Sequence, residues 1–136
     1  MSWQESLVRL ADYEVEQLRK RLADVLDRKA SAEDQLMRLL QEAEIELRRF
    51  AEDASLGWSR QGYLNGWRAR RDGVLVEIEG LAIEEAGARD ALAQAFEELK
   101  KYEQISEMAL EGARKEEARR ETAEMDELGS RRVPVR

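Results

Sequence analysis

The stretch that decides the fold is residues 74–113, VLVEIEGLAIEEAGARDALAQAFEELKKYEQISEMALEGA. Apolar side chains recur in it at alternating steps of four and three, and only Glu85 and Ser106 interrupt the series. The full series is Val74, Ile78, Leu81, Glu85, Ala88, Leu92, Ala95, Leu99, Tyr102, Ser106, Ala109 and Ala113. This spacing predicts a long helix that buries one stripe of side chains in a coiled coil.

A similar pattern fills the first third of the chain. Its first part comprises Val8, Ala11, Val15, Leu18, Leu22 and Val25, and its second part comprises Leu36, Leu40, Ala43, Leu47, Phe50 and Ala54. The interval from Val25 to Leu36, which contains Lys29, predicts a stutter at which the supercoil locally unwinds. The segment Ser2-Trp3-Gln4-Glu5 matches a capping box, so we expect this helix to start close to the N-terminus.

The one proline is Pro134, so glycines are the residues that could mark a break between helices in the rest of the chain. Four glycines cluster between the two patterns and predict a turn there: Gly57, Gly62, Gly66 and Gly73. We therefore predict an all-α fold, a single domain over 1–136 that forms a long antiparallel two-helix coiled-coil hairpin. Helix one covers about 3–55, the turn about 56–67, helix two about 68–128 and a basic tail 129–136. Beyond Ala113 the apolar stripe stops, which predicts a solvated helix.

Composition argues against catalysis. The 136 residues include no His and no Cys, so the usual general base, thiolate nucleophile and zinc ligands are missing. No glycine-rich phosphate loop is present. Glu85, an acid on a coiled-coil stripe, is typical of a residue that fixes register. We expect no enzyme activity, no catalytic residue, no metal and no cofactor.

No membrane-spanning segment is expected, because the longest apolar runs are three residues, such as Val74-Leu75-Val76. The start of the chain lacks the basic and apolar regions of a signal peptide. These features predict a cytoplasmic protein. The net charge of −7 disfavours nucleic-acid binding along the body of the chain.

The predicted turn differs from the acidic remainder. Residues 56–73 carry four basic side chains and one acidic side chain, interleaved with aromatic rings. Such a combination suits a protein contact, a membrane surface or single-stranded nucleic acid, but the aromatic residues could equally cap the end of the coiled coil. The candidate contact residues of the turn are Trp58, Tyr63, Trp67, Arg68, Arg70 and Arg71.

Several apolar residues fall off the main stripes. They are either ordinary surface residues or a docking surface for a partner, which includes a second copy of the chain. These residues are Leu26, Met37, Ile83, Phe96, Ile105 and Leu110.

Two short segments give the sequence a family resemblance. Ala32-Glu33-Asp34-Gln35-Leu36, followed by Leu39, and Glu124-Met125-Asp126-Glu127-Leu128, followed by Arg131 and Arg132, resemble segments of the flagellar export protein family FliJ. The YscO-like proteins of virulence type III secretion are more distantly similar. At Glu42 and Glu46 the chain departs from the family, whose members often have aromatic residues there.

The resemblance implies a non-enzymatic, stalk-like coiled coil of the flagellar type III protein export apparatus. Its implied partners are the flagellar export ATPase, the export gate membrane protein and export chaperones, at the cytoplasmic face of the inner membrane. The implied ATPase contacts are Leu7, Val8, Ala11, Met125, Asp126, Glu127, Arg131 and Arg132, and the implied gate or chaperone contacts are Gln35 and Leu39. A YscO-like secretion component and a general coiled-coil adaptor that homodimerises remain the alternatives.

Overall fold

A computed structural model describes residues 2–132 of the chain. In it the chain forms two long α-helices joined by a short 3-10 segment. Helix α1 is Trp3–Glu52, the 3-10 segment, here called the connector, is Ala54–Ser59, and helix α2 is Arg60–Arg132. No strand occurs in the described part of the chain. The predicted all-α fold with two long helices is therefore confirmed.

Local side-chain hydrogen bonds mark both ends of α1. At its start the Ser2 hydroxyl accepts a hydrogen bond from the Glu5 backbone N–H at 3.2 Å, as the capping sequence predicts. After Glu52 the backbone of Asp53 is extended, and the Asp53 carboxylate accepts from the Ser55 hydroxyl at 2.6 Å and the Ser55 N–H at 3.0 Å. These hydrogen bonds lower the pKa of Asp53 and fix the start of the connector.

The helices divide into two compact units. Residues 17–93, here called the connector unit, contain the end of α1, the connector and the start of α2, and the terminal unit comprises residues 1–16 and 94–136. Within the connector unit the helices are antiparallel, because Arg28 contacts Glu84 at 3.0 Å while Arg70 contacts Glu42 at 3.1 Å. Its core contains Leu39, Ala43, Trp67 and Val74, with Leu36, Tyr63 and Ile78 packed against it.

The buried stripe of α1 continues through the interval in which the sequence predicts a stutter. Lys29 is half-buried and Ala32 is buried, so the alternating steps of four and three run on from Val25 to Leu36. The predicted stutter is wrong, because the aliphatic stem of Lys29 covers the stripe while its ammonium pairs with Glu85. The continued stripe then reaches Leu39, which is buried. Leu40, which the spacing predicts on the stripe, is exposed.

Helix α2 begins at Arg60, before the expected 68, and Gly62, Gly66 and Gly73 lie inside it. Glycine in a helix interior costs roughly 0.5–1 kcal/mol relative to alanine, and does not by itself end a helix. The buried stripe of α2 already starts at Tyr63 and Trp67, so packing against α1 outweighs that cost. The connector overlaps the predicted turn of about 56–67 but ends at Ser59, so only Gly57 of the four glycines lies in it.

In the terminal unit the packing of α2 ends early. Ala11, Val15 and Ala95 are buried, and the stripe on α2 is at least half-buried as far as Ser106. Ala109 and Ala113, expected on the stripe, are exposed. All side chains from 107 to 131 are exposed, although the helix continues to Arg132. The prediction of a solvated helix beyond Ala113 is confirmed, and residues 133–136 of the predicted tail lie outside the described residues.

Candidate protein-interaction surfaces

Trp67 is a core residue of the connector unit. Its side chain is buried, and the indole Nε1–H donates a hydrogen bond to the Leu39 carbonyl oxygen at 2.7 Å. The sequence predicts Trp67 as a turn contact and Leu39 as a gate or chaperone contact. Both residues are instead buried against each other in the core of the connector unit. The neighbouring Gln35 is exposed and remains accessible.

Tyr63 is half-buried beside the end of α1. Its ring lies 5.7 Å from the Phe50 ring, centroid to centroid, with the two planes tilted by 51°. The Tyr63 hydroxyl oxygen is buried and has no hydrogen-bond partner among residues 2–132. Burial is the main cause that raises the pKa of Tyr63, and the negative charges of Glu42 and Glu46 add to it. Tyr63 therefore contributes to packing at the connector end of the unit.

Two of the three turn arginines are held by neighbouring side chains. Arg70 pairs with Glu42 across the helices at 3.1 Å. Arg71 pairs with Asp72 at 2.8 Å, and its guanidinium lies 5.3 Å from the centroid of the Trp67 ring. The expected cluster of aromatic and basic contacts is thus mostly an internal network.

Two of the predicted turn contact residues are exposed and make no ion pair or ring contact with the described residues. Trp58 in the connector is 86% exposed, and Arg68 is exposed and makes no ion pair within the described chain. An indole with so little burial contributes little to the fold. Trp58 and Arg68 are consequently the residues of the turn that a partner can reach.

A polar pair interrupts the apolar stripes in the connector unit. Lys29 Nζ lies 3.1 Å from Glu85 Oε1, and Arg89 Nε lies 2.9 Å from the other carboxylate oxygen. The hydrogen bonds from Arg89 and Lys29 lower the pKa of Glu85. The sequence singled out Glu85, whereas Lys29 was missed as its partner because it lay in the expected stutter.

The ATPase contact candidates near the N-terminus belong to the terminal unit. Leu7 and Val8 are half-buried and Ala11 is buried. An open cleft separates the first turn of α1 from α2, and its lining is Ser2, Gln4, Glu5, Ser106, Ala109, Leu110 and Ala113. Of these three candidates, Leu7 and Val8 retain exposed surface, while Ala11 serves the core.

The C-terminal candidates are exposed on α2. Met125 is 70% exposed, Asp126 and Glu127 are exposed, and Arg131 is exposed with its guanidinium 2.7 Å from Glu127. The side chain of Arg132 lies outside the described residues. The structure therefore presents the four described candidates, Met125, Asp126, Glu127 and Arg131, to solvent on one helix.

The described residues show no feature of an enclosed chemical site. Among residues 2–132 no group of three or more acidic residues is placed to hold a metal ion. Neither helix has, in its described part, a stretch long and apolar enough to cross a membrane. The clefts along α2 are open and lined by the helix surface.

The chain is similar to known proteins along nearly its whole length. The chain is all-α, with two paired long helices whose exposed surfaces suit protein contacts. The family model described as "Flagellar FliJ protein" matches residues 4–135. The chain is 47% identical over 133 residues to the "Flagellar FliJ protein" of Caulobacter vibrioides NA1000 / CB15N, covering 98% of this chain and 96% of that protein, and the strain CB 15 protein matches equally. This chain belongs to the flagellar FliJ protein family. No solved structure matches it significantly.

Proposed function

We propose that this protein is a non-enzymatic component of the flagellar type III export apparatus, a stalk-like coiled coil that engages the export ATPase ring. The observation that carries the proposal is family membership over nearly the whole chain. The exposed stretch 107–131 supports it, because a helix with no packed face among the described residues gains order from an external partner. We also propose that the protein links the ATPase to the export gate and to export chaperones.

The residues assigned to these contacts follow from the family resemblance, and those whose side chains the structure describes are at least partly exposed. For the ATPase, we assign Leu7 and Val8 on α1 and, on α2, Met125, Asp126, Glu127, Arg131 and Arg132. Gln35 is the residue of α1 that we assign to the gate or chaperone contact, and Trp58 and Arg68 are further contact candidates. We propose a cytoplasmic location, peripheral to the inner membrane, without nucleic-acid binding. The flagellar relatives favour this assignment over a YscO-like virulence component.

Stimulation of the cognate flagellar export ATPase tests the proposal. We expect the purified chain to raise ATP hydrolysis or hexamer formation, and a chain truncated after Ala123 to lose this effect. Met125→Lys, at a residue 70% exposed, is expected to weaken it. The matched control is Met108→Lys, at a residue 71% exposed outside the assigned contacts, which is expected to leave it unchanged.

Circular dichroism of each variant separates loss of contact from loss of helix. Full stimulation by the truncated chain would contradict the proposed ATPase contact. A chain that homodimerises in sedimentation equilibrium and leaves ATP hydrolysis unchanged would support the general coiled-coil adaptor instead.

A further inference from the structure

Helix α2 has a second apolar face in the connector unit, opposite its buried stripe. Its members follow one another at alternating steps of three and four, and every one is exposed. The face, here called the outer face, consists of Gly62, Gly66, Ala69, Gly73, Val76, Gly80, Ile83 and Gly87. The branched side chains Val76 and Ile83 are 68% and 70% exposed, which makes this an unpartnered apolar helix face.

The outward positions that correspond to this face on α1, and further along α2, carry polar side chains. On α1 in the connector unit the corresponding exposed positions are Gln17, Lys20, Asp24, Asp27, Ser31, Asp34, Arg38 and Gln41. On α2 beyond Gly87 the series continues with Asp90, Gln94, Glu97 and Lys101. Solvated positions in this chain are thus usually polar or charged, so solvation alone does not account for the outer face.

The fold itself does not need the glycines of the outer face. A Cβ atom added at Gly66, Gly73, Gly80 or Gly87 meets no other atom within 4 Å. None of the described residues has a positive φ that would favour glycine. Glycine weakens a helix relative to alanine, but it allows another backbone to approach closely. The glycines therefore form notches on either side of Val76 and Ile83 that no described residue fills.

The borders of the outer face are mainly acidic. Asp72 and Glu79 lie along one border, and Glu77 and Glu84 lie along the other. Glu84 pairs with Arg28, and Asp72 with Arg71, whereas Glu77 and Glu79 make no ion pair among the described residues. The one basic border residue, Arg70, is held by Glu42. An incoming surface therefore meets two unpaired carboxylates at the middle of the face.

We propose that the outer face docks a helix of another protein whose own apolar stripe is bordered by lysines or arginines. The notches and the two branched side chains fit the ridges of a closely approaching helix. At about 1.5 Å per residue the face is roughly 38 Å long, which matches a partner helix of about 25 residues. Basic borders on that helix complement Glu77 and Glu79.

A second copy of this chain fits less well. Two outer faces packed on each other bring together borders that are both mainly acidic, so the unpaired carboxylates of Glu77 and Glu79 meet like charges, which repel. The inference goes beyond the proposed function and does not depend on it, because no residue of the outer face belongs to the assigned ATPase, gate or turn contacts.

A synthetic helix provides the probe. It has about 25 residues, a leucine and isoleucine stripe at heptad spacing, lysine borders and a fluorophore for anisotropy. We expect the full-length chain to bind it, and to bind a version with glutamate borders at least about tenfold more weakly. Equal affinity for the two peptides, or no binding of the lysine version, would overturn the proposal.

Variants of the outer face locate the binding. The double variant Gly73→Gln, Gly80→Gln fills two notches, and we expect it to weaken binding by about tenfold or more. Because glutamine favours a helix more than glycine does, the weaker binding cannot come from loss of α2. The matched control is Gly112→Gln, an exposed glycine of α2 outside the face, which is expected to bind like the unmodified chain. Undiminished binding by the double variant would overturn the proposal.

Two further measurements identify the occupant. The variant Glu77→Lys, Glu79→Lys is expected to reverse the preference between the two peptides. Because the chain has no Cys, a polarity-sensitive dye can be placed at Val76→Cys, where the lysine peptide should shift its emission, or at Gln41→Cys, where it should not. A dimer in sedimentation equilibrium that Gly73→Gln, Gly80→Gln dissociates would show that a second copy occupies the face, and would contradict a basic partner helix.

Discussion

Single side chains in the connector unit combine packing with a directed polar contact. Trp67 fills the core beside Leu39 and also donates its indole N–H to the Leu39 carbonyl oxygen at 2.7 Å. Lys29 and Glu85 occupy the buried stripes of the two helices but keep their charged groups paired. Each of these residues therefore contributes both to the stability of the pairing and to its alignment.

Replacing Trp67 by Phe is expected to lower the free energy of unfolding by about 1–2 kcal/mol, because the hydrogen bond to Leu39 is lost while most of the ring remains. Trp67→Ala removes the ring as well and is expected to cost about 3–5 kcal/mol. Urea denaturation followed by circular dichroism measures both changes. Trp58→Phe is the control, because Trp58 is 86% exposed and its replacement should leave stability unchanged. Equal effects at the two positions would contradict the assigned role of Trp67.

Glu85 gives the stability a pH dependence of defined sign. Hydrogen bonds from Arg89 and Lys29 hold its pKa below the ordinary value of 4.5 in the folded chain. Between that value and the lower folded value the unfolded chain binds more protons, so this contribution is present above pH 4.5 and is lost as the pH falls. The original chain should therefore lose more stability than Glu85→Gln on acidification.

Denaturation of both chains at about pH 5 and at about pH 3 measures this difference. Glu79→Gln is the matched control, because Glu79 makes no ion pair among the described residues and should follow the original chain. Parallel loss of stability in the original chain and in Glu85→Gln would show that Glu85 contributes nothing to the acid response.

At the scale of elements, the two helices use their outward faces differently. In the connector unit α1 exposes a polar face, whereas α2 exposes the glycine-rich outer face. The glycines lower the intrinsic stability of α2 without helping its packing against α1. The pairing of the two helices and the composition of the outer face are thus separate properties of the same segment.

Alanine at Gly73 or Gly80 is expected to stabilise the chain by roughly 0.5–1 kcal/mol at each position, because the new Cβ meets no neighbour and the helix gains propensity. Thermal and urea denaturation measure the gain. The reverse substitution Ala82→Gly, at an exposed position of the same helix, should destabilise by a similar amount. A loss of stability on Gly73→Ala or Gly80→Ala would mean that the fold requires these glycines.

At the scale of the whole chain, protection is unevenly distributed. The buried side chains lie between Ala11 and Ala95, whereas every side chain from 107 to 131 is exposed. That stretch is supported by helical ion pairs such as Glu111 with Lys115 at 3.5 Å, each of which contributes only about 0.3–0.5 kcal/mol. Its helix is therefore held more weakly than the helices of the connector unit.

Amide hydrogen exchange is expected to reveal this difference directly. Amides of 107–131 should exchange with little protection, whereas amides around Trp67 and Val74 should exchange only on cooperative unfolding. High salt should weaken the helical ion pairs and further speed exchange in 107–131. Comparable protection along all of α2 would contradict this distribution.

The apolar spacing predicts the buried residues correctly where the apolar series is unbroken, and less well where a charged residue interrupts it. The spacing in 74–113 correctly predicted the buried residues of α2 up to Ser106, because one helix face in that stretch carries most of the apolar side chains. Leu39 and Leu40 could not be distinguished locally, since either completes a step from Leu36 to Ala43. The phase of the stripe through Lys29 and Ala32 leads to Leu39, and this phase is hidden in the apolar pattern because Lys29 is charged.

The glycines misled the prediction for a related reason. Gly62, Gly66 and Gly73 are weak helix formers, but the stripe of Tyr63, Trp67 and Val74 crosses them. Tertiary packing outweighs local propensity where both act on the same residues. Among the site residues, the exposure of Met125 and Gln35 agrees with a contact role, while the burial of Leu39 depends on Trp67, a partner distant in sequence.

The Lys29–Glu85 pair has a consequence for how the connector unit reaches its native alignment. A pattern that repeats every seven residues allows two helices to pair after sliding by one repeat, with apolar residues still facing apolar residues. In the connector unit such a slip sets Lys29 opposite Ile78 or Leu92, so Lys29 loses its partner and Glu85 keeps only Arg89 of its own helix. The charged pair therefore disfavours pairing of the helices in a shifted register. Replacing both residues with leucine should yield a chain that refolds through misaligned species.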